Sequence, residues 1–250
     1  MKKTIIYLFW IFALSACSTT PENPRSYTPP KGWNEIEASA RAHAENRNYS
    51  AAIAEMDNAI AMDKEFPIAY DLRSSYKKNS GDYKGALEDI NIAIEIAPEV
   101  PQLYYDRMWL NAVLKNEKAL RRDCDFVVSE FPTPKSFAKC GQACSKLENF
   151  ASKTAIEYFD EAIKRAPDEI SYYEWRAINK FNLRDYKGAL FDLNRVLRTN
   201  KLNPRTLALR GETKYILGDF PGAIEDLEAA IQKGDRRMRT KNLLSKLKGQ

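Results

Sequence analysis

Apolar residues recur at helical spacing along the chain in stretches of about a dozen residues, and these stretches come in pairs. Gly81-Asp82 and Gly218-Asp219 separate the two members of a pair, and a proline such as Pro98 follows the second member. A single helical hairpin cannot bury its own apolar face, so neighbouring hairpins must stack. The pattern therefore predicts an all-α chain of stacked hairpins.

The hairpins recur with a constant period. Ala52 and Ala86 are 34 residues apart, and so are Ala189 and Ala223. This spacing, with Gly-Asp-Tyr, alanine and proline at fixed positions after Pro67, resembles the tetratricopeptide repeat. The resemblance implies a right-handed superhelical solenoid of about six helix-turn-helix repeats, closest to the family pattern in the second and sixth and degenerate in the third and fourth. The predicted repeats span residues 33–66, 67–100, 101–133, 134–169, 170–203 and 204–237.

Residues 238–250 are predicted to form a basic C-terminal capping helix. Leu243, Leu244 and Leu247 fall on one face, and basic residues occupy the others. The formal charge of +5 is concentrated here, because residues 236–250 contain basic side chains and no acid. These cations could contact anionic lipid or an acidic partner, or they could form the solvated face of a cap.

The N-terminal segment resembles a bacterial lipoprotein signal. Met1-Lys2-Lys3 precedes an uncharged apolar run over residues 5–14, which is too short to span a bilayer comfortably. The run ends in Leu14-Ser15-Ala16-Cys17, which is similar to a lipobox. The resemblance implies removal of residues 1–16 and acylation of Cys17. An ordinary secretory signal with a chance cysteine is the alternative.

The lipoprotein resemblance also implies a location. Residues 17–32 hold four prolines and few apolar side chains, so they are expected to form a flexible tether after the lipidated cysteine. The residue after Cys17 is Ser18 and not aspartate, which in Gram-negative lipoproteins implies sorting to the outer membrane. We therefore expect a lipid-anchored protein of the bacterial cell envelope that faces the periplasm, where nucleic acid is not an expected partner.

A charged pair recurs inside four repeats. Arginine stands at the seventh position, on the first helix, and aspartate stands sixteen residues later, on the second helix. We predict an intra-repeat salt bridge in each case, which would either pin the hairpin or form an anion-binding ladder. Ser39 and Cys140 replace the arginine in the first and fourth repeats. The predicted pairs are Arg73 with Asp89, Arg107 with Asp123, Arg176 with Asp192, and Arg210 with Asp226.

Three cysteines remain in the third and fourth repeats. Cys124 and Cys140 are equidistant from the turn near Pro132, so a disulfide between them is expected in an oxidising compartment. A bond between Cys124 and Cys144 is the alternative. No metal site is expected, because a fourth ligand is lacking and the single histidine, His43, is distant in sequence.

Catalytic chemistry is poorly represented in the sequence. His43 falls on a helix face of the first repeat, and no glycine-rich phosphate-binding loop is present. We therefore expect neither an enzyme nor a cofactor.

A protein or peptide partner is expected in the concave groove of the solenoid, which the first helices line. Tyr105 and Trp109 could form an aromatic hot spot, although Trp109 could equally pack in the core of its irregular repeat. The expected role is an adaptor in envelope, pilus or secretion assembly, and the alternative is an immunity or inhibitor lipoprotein. The predicted partner-binding residues are Asp71, Lys78, Asn79, Tyr105, Trp109, Gln142, Glu174, Phe181, Glu212 and Tyr215, with Lys146 on the same face.

Overall fold

The computed structural model describes residues 27–147, 151–199 and 203–249, and these residues form α-helices and no strands. The predicted signal segment and Cys17 lie outside the described residues. The helices are α1 (Trp33–Glu45), α2 (Tyr49–Met62), α3 (Pro67–Ser80), α4 (Tyr83–Ile96), α5 (Pro101–Val113), α6 (Glu117–Glu130), α7 (Pro134–Cys144), α8 (Ala151–Arg165), α9 (Ile170–Asn182), α10 (Tyr186–Thr199), α11 (Pro204–Ile216), α12 (Phe220–Gln232) and α13 (Met238–Lys248).

The chain divides into two compact units, and the division falls within α5 between Leu103 and Tyr104. The first unit contains the hairpins α1–α2 and α3–α4. Its core includes Ala40, Ala52 and Met56, and the rings of Trp33 and Phe66 meet edge to face with centroids 4.8 Å apart. Small side chains in this core let the helix backbones approach closely.

In the second unit the remaining hairpins stack, and two glycines mark close approaches inside them. A Cβ atom on Gly141 of α7 would lie 2.9 Å from the Phe159 ring of α8. A Cβ atom on Gly211 of α11 would lie 2.9 Å from Leu227 of α12. Only glycine at these two positions leaves room for the large partner side chain.

The turns inside the hairpins use one left-handed residue followed by an N-cap. Gly81 and Gly218 have φ values of 93° and 86°, as the Gly-Asp turns require. Arg47, Lys115 and Arg184 adopt φ values of 58°, 57° and 64° at the equivalent positions. The third repeat therefore makes the same turn without glycine. The caps that follow accept hydrogen bonds from backbone N–H groups of the second helix; they are Asn48, Asp82, Asn116, Asp185 and Asp219.

Helix α13 covers the last hairpin. Leu247 is buried in one cluster with Ala223 and Leu227 of α12. Asp235 organises the start of the helix, since its carboxylate accepts hydrogen bonds from the Arg237 backbone and from Thr240 Oγ1 at 3.0 and 2.9 Å. Within the described residues, no helix combines the length and apolar character needed to cross a bilayer.

Candidate partner-binding face

The first helices of successive hairpins lie side by side in the second unit. Tyr105 on α5 is hydrogen-bonded to Ser136 on α7 at 2.8 Å. Asn179 on α9 donates to Ser145, just after α7, also at 2.8 Å. Thr206 on α11 donates to Glu174 on α9 at 2.6 Å. These contacts, with those of α13 described below, make α5, α7, α9, α11 and α13 one layer, which we call the first-helix face.

Tyr105 packs between two repeats. Its side chain is 7% exposed, and its hydroxyl contacts the fully buried Ser136. Burial raises the pKa of the phenol above its ordinary value, against the hydrogen bonds to Ser136 and Thr133, which lower it. The expectation of an exposed hot spot at Tyr105 is therefore wrong, because α7 covers the ring.

Trp109 remains half-buried, one helical turn after Tyr105. The Lys146 ammonium lies over its ring, 5.4 Å from the centroid. Gln142 of α7 is also half-buried, and Lys146 is exposed. These three side chains place a partly exposed aromatic ring, an amide and a cation on neighbouring repeats of one face.

Two further residues of the predicted set lie on α9. Glu174 accepts hydrogen bonds from Thr206 and from Asn203, so its carboxylate joins the fifth repeat to the sixth. Phe181 is half-buried, and its ring meets Tyr186 edge to face at 5.4 Å. Glu174 therefore serves repeat stacking, whereas Phe181 contributes partly exposed aromatic surface.

The capping helix occupies the face at the sixth repeat. Arg239 of α13 lies 2.7 Å from Glu212, whose side chain is buried. Burial raises the pKa of Glu212, while Arg239 and Arg237 act in the opposite direction. Lys246 donates to the Tyr215 hydroxyl at 3.0 Å. Glu212 is thus a docking residue for α13 and not an exposed contact residue, because the predicted cap covers it.

The cations of α13 are mostly engaged with the protein itself. Besides Arg239 and Lys246, Lys248 pairs with Glu228 of α12 at 2.5 Å. Arg237 pairs with Asp235 at 2.8 Å. The basic character of this helix therefore serves its attachment to the sixth repeat.

Three predicted contact residues belong to the first unit, on α3. Asp71 and Lys78 are partly buried, and Asn79 is exposed near the end of the helix. His43 of α1 is half-buried. These side chains belong to the first unit, so they are not part of the first-helix face as defined for the second unit.

All four arginine–aspartate pairs are in contact, and each guanidinium grips its carboxylate through Nε and Nη2. In the fifth repeat Arg176 donates to Asp192 at 2.9 and 2.6 Å. The aspartates are almost fully buried, with exposures between 0 and 5%. The equivalent contacts join Arg73 to Asp89, Arg107 to Asp123, and Arg210 to Asp226.

A third residue, four positions after the arginine, completes the site. Lys180 lies 2.9 Å from the second oxygen of Asp192, and Lys77 and Lys214 take the same place in their repeats. In the third repeat Asn111 donates to Asp123 at 3.2 Å instead. Our sequence reasoning missed this residue, although its fixed four-residue offset from the arginine was a usable signal.

The same arginines also reach back to the preceding repeat. Arg73 Nη1 donates to Asp57 at 2.6 Å, and Arg176 Nη1 donates to Asp160 at 2.6 Å. Burial disfavours the charged guanidinium of Arg176, but its bonds to Asp192 and Asp160 outweigh this and raise its pKa. The pairs therefore form a charged seam that joins neighbouring hairpins, and the carboxylates leave the cations compensated. This geometry favours the pinning interpretation over an anion-binding ladder.

The two repeats without the arginine replace the pair differently. In the first repeat Ser39 donates to Glu55 at 2.6 Å, so a hydroxyl and a carboxylate keep the sixteen-residue contact. In the fourth repeat Cys140 is fully buried, and its thiol faces Met108 and the Cys124 carbonyl. The charged seam is thus interrupted by sulfur at the junction of the third and fourth repeats.

Cys124, Cys140 and Cys144 are free thiols in the structure. The expected bridge between Cys124 and Cys140 is therefore not formed; instead, the Cys124 thiol donates to Met108 Sδ at 3.3 Å. No group of three or more His, Cys, Asp or Glu side chains in the described ranges could hold a metal ion.

Two solved structures share this arrangement of helices. PilW, a type IV pilus biogenesis factor, is 17% identical, with a TM-score of 0.71 over 84% of this chain and 97% of PilW. A tetratricopeptide repeat protein from Parabacteroides merdae is 19% identical, with a TM-score of 0.64 over 88% of this chain and 86% of that protein. The fold is that of the tetratricopeptide-repeat proteins. The predicted all-α repeat architecture is thereby confirmed.

Two curated proteins match part of the chain. A DnaJ protein P58IPK homolog of Arabidopsis thaliana is 26% identical over 152 residues, which is 55% of this chain. Serine/threonine-protein phosphatase 5 of Rattus norvegicus is 30% identical over 130 residues, which is 50% of this chain. The matches span only 31% and 26% of those proteins. No family model matches the chain.

Proposed function

We propose that this chain is a scaffold that binds a protein or peptide partner on the first-helix face of its second unit. Trp109 carries the proposal, because its predicted aromatic ring is partly exposed and has the Lys146 ammonium of the next repeat over it. Tyr105, Glu174 and Glu212 are occupied by contacts between repeats. Binding at this site would require no chemical transformation of the partner, so we assign no enzymatic role.

The chemistry of the site suits recognition of a polypeptide segment. A tryptophan ring offers a large apolar surface with few rotatable bonds, which is typical of interface hot spots. Lys146 adds a cation above that ring, and the half-buried Gln142, four residues before Lys146 in the chain, adds hydrogen-bonding capacity. A segment laid along the face could continue to the half-buried Phe181 ring of the fifth repeat.

We further propose that the scaffold is lipid-anchored through Cys17, at the outer membrane facing the periplasm, and serves envelope, pilus or secretion assembly. The lipobox-like sequence Leu14-Ser15-Ala16-Cys17 supports the anchor. The likeness in fold to PilW, a type IV pilus biogenesis factor, supports the assembly role. The proposal therefore combines a localisation signal in the N-terminal segment with a binding face in the repeats.

Capture of partners from bacterial envelopes tests the binding face. Trp109→Ala should lower the yield of crosslinked partner about tenfold or more, as expected for loss of a hot-spot side chain. Phe191→Ala is the matched control, since this ring on α10 is 65% exposed and lies outside the first-helix face. Equal losses in the two variants, or none in either, would contradict the proposed site. A tight one-to-one complex with a toxin or envelope enzyme would replace the assembly role with the inhibitor alternative.

The anchor requires a separate experiment. The wild-type chain should incorporate an alkyne-tagged palmitate and sediment with outer membranes, whereas Cys17→Ser should do neither. An unlabelled wild-type chain released into the soluble periplasm would contradict lipidation. It would not bear on the proposed binding face, which the Trp109 variant tests.

A further inference from the structure

The junction of the fifth and sixth repeats contains a cleft of about 460 Å³ between helices α10 and α11. We call it the arginine cleft, and it is lined by Asn194, Leu197, Arg198, Leu207 and Arg210. The two leucines are buried, Arg210 is half-buried and Arg198 is exposed. The cleft therefore combines two arginine side chains with apolar ones, and its volume is comparable to that of ordinary ligand-binding pockets.

Arg210 meets a neutral acceptor where the equivalent arginines meet a carboxylate. Its Nη1 donates to Asn194 Oδ1 at 3.1 Å. The equivalent nitrogen donates at 2.6 Å to Asp57 from the second repeat and to Asp160 from the fifth. The side chains of these two aspartates are 54% and 53% exposed. The place beside Nη1 therefore suits a carboxylate and lies at the protein surface.

The neutral acceptor leaves the cleft with an excess of positive charge. Arg210 and Lys214 both contact Asp226, so two cations share one carboxylate. In the fifth repeat, by contrast, two cations contact two aspartates. Arg198 adds a further, exposed cation to the cleft. The charge balance that the arginine seam keeps in the fifth repeat is thus incomplete in the sixth.

We propose that the arginine cleft binds the carboxylate of a glutamate or aspartate residue in a protein partner. The carboxylate lies beside Arg210 Nη1, where the second and fifth repeats have an aspartate of this chain, and Arg198 supplies the second cation. Hydrogen bonds between a guanidinium and a carboxylate are about twice as strong as neutral ones. The two leucines of the cleft lie within reach of the methylene groups of the bound side chain.

The arginine cleft is distinct from the proposed Trp109 site. Trp109 belongs to the third repeat, whereas the cleft lies between the fifth and the sixth. Trp109→Ala should therefore leave carboxylate binding at the cleft unchanged. Failure of one proposal can be recognised without reference to the other.

Titration of the full chain with two blocked tetrapeptides tests the site. One peptide has two glutamates between glycines, and the other has glutamines in their place. The NMR signals of the backbone amides in α10 and α11 report binding. The glutamate peptide should bind about tenfold more tightly, because only a carboxylate forms charge-assisted hydrogen bonds with the arginines. Equal affinities, or unchanged signals, would overturn the proposal.

Three variants that each lower the net charge by one form a matched set. Asn194→Asp supplies a carboxylate of the chain itself beside Arg210, so it should weaken binding of the glutamate peptide about tenfold. Arg198→Ala should weaken it by a similar factor, because the second cation is lost. Arg205→Ala is the control and should change the affinity by less than about twofold, since this exposed arginine of α11 lies outside the cleft lining.

Asn194→Asp reproduces a contact that the fold already makes in two other repeats, so lost binding in this variant does not reflect unfolding. Equal losses in all three variants would attribute binding to the overall charge and overturn the proposal. Wild-type affinity in Asn194→Asp would overturn it as well.

Discussion

Arg176 on α9 holds Asp192 on α10 with two hydrogen bonds, while its third nitrogen reaches Asp160 of the preceding repeat. One guanidinium thus closes its own hairpin and fastens it to the previous one. Asp192 is fully buried and also contacts Lys180. A buried carboxylate without a neighbouring cation is strongly destabilising, so loss of this pair should lower the stability of the fold.

Removal of the arginine should destabilise the protein in a way that depends on the third residue. Arg176→Ala should lower the free energy of unfolding by about 3 kcal/mol, since Lys180 still compensates Asp192. Arg107→Ala should lower the free energy of unfolding by more, because the remaining partner of Asp123 is the neutral Asn111, where the fifth repeat has Lys180. Urea unfolding followed by circular dichroism measures both, and the reverse order would contradict the role given to the lysine.

The loss of folding stability at low pH should depend on Asp235. The side-chain hydrogen bond from Arg237, supported by its backbone N–H and Thr240, lowers the pKa of this carboxyl to about 2. An acid with a depressed folded pKa stabilises the protein above its unfolded value and loses that contribution as pH falls. We expect about 2 kcal/mol to be lost between pH 4 and pH 2. Asp235→Asn should flatten this part of the profile, and an unchanged slope would argue against it.

At turn positions with left-handed backbone, replacing glycine and introducing glycine should change the stability of the protein in opposite directions. Gly218→Ala should destabilise the protein by about 1 kcal/mol, because φ of 86° is unfavourable for a residue with a Cβ atom. Arg184→Gly, at the equivalent turn, should be neutral or stabilising by up to about 1 kcal/mol. Thermal unfolding of the two variants provides the comparison, and destabilisation of both by the same amount would exclude backbone strain as the cause.

The attachment of α13 should depend on its buried leucine more than on its surface charges. Leu247→Ala should cost about 2 kcal/mol, since the side chain is buried against Leu227. Lys248→Ala is the control, because Lys248 and Glu228 are both about half exposed and such pairs contribute little. Chemical denaturation should separate the two variants, and a larger loss for Lys248→Ala would reverse our assignment.

The repeat architecture could be predicted because periodic small residues and turns leave a direct signal in the sequence. The Arg–Asp spacing of sixteen residues likewise reflects contact across one hairpin. The contact between Arg176 and Asp160 was not foreseen, because it depends on how one hairpin is placed against the next. Sequence spacing within a repeat carries no measure of that placement.

The same limit explains the binding residues. The spacing of Tyr105 and Trp109 places both on one face of α5. Tyr105 is nevertheless buried against Ser136 of the following repeat, whereas Trp109 remains half-buried. The position of Glu212 in the repeat predicts a groove residue, although its side chain is buried and pairs with Arg239 of α13. The local pattern predicts which side of a helix a residue occupies, and the neighbouring helix decides whether it stays accessible.

Helix α13 has a consequence for self-association. It lies where the first helix of another hairpin would stack, and it uses Glu212, Tyr215 and Leu227 for its own attachment. A second copy approaching end-on would therefore have to displace it before adding to the stack. The attachment of α13 therefore opposes end-on polymerisation through this hairpin.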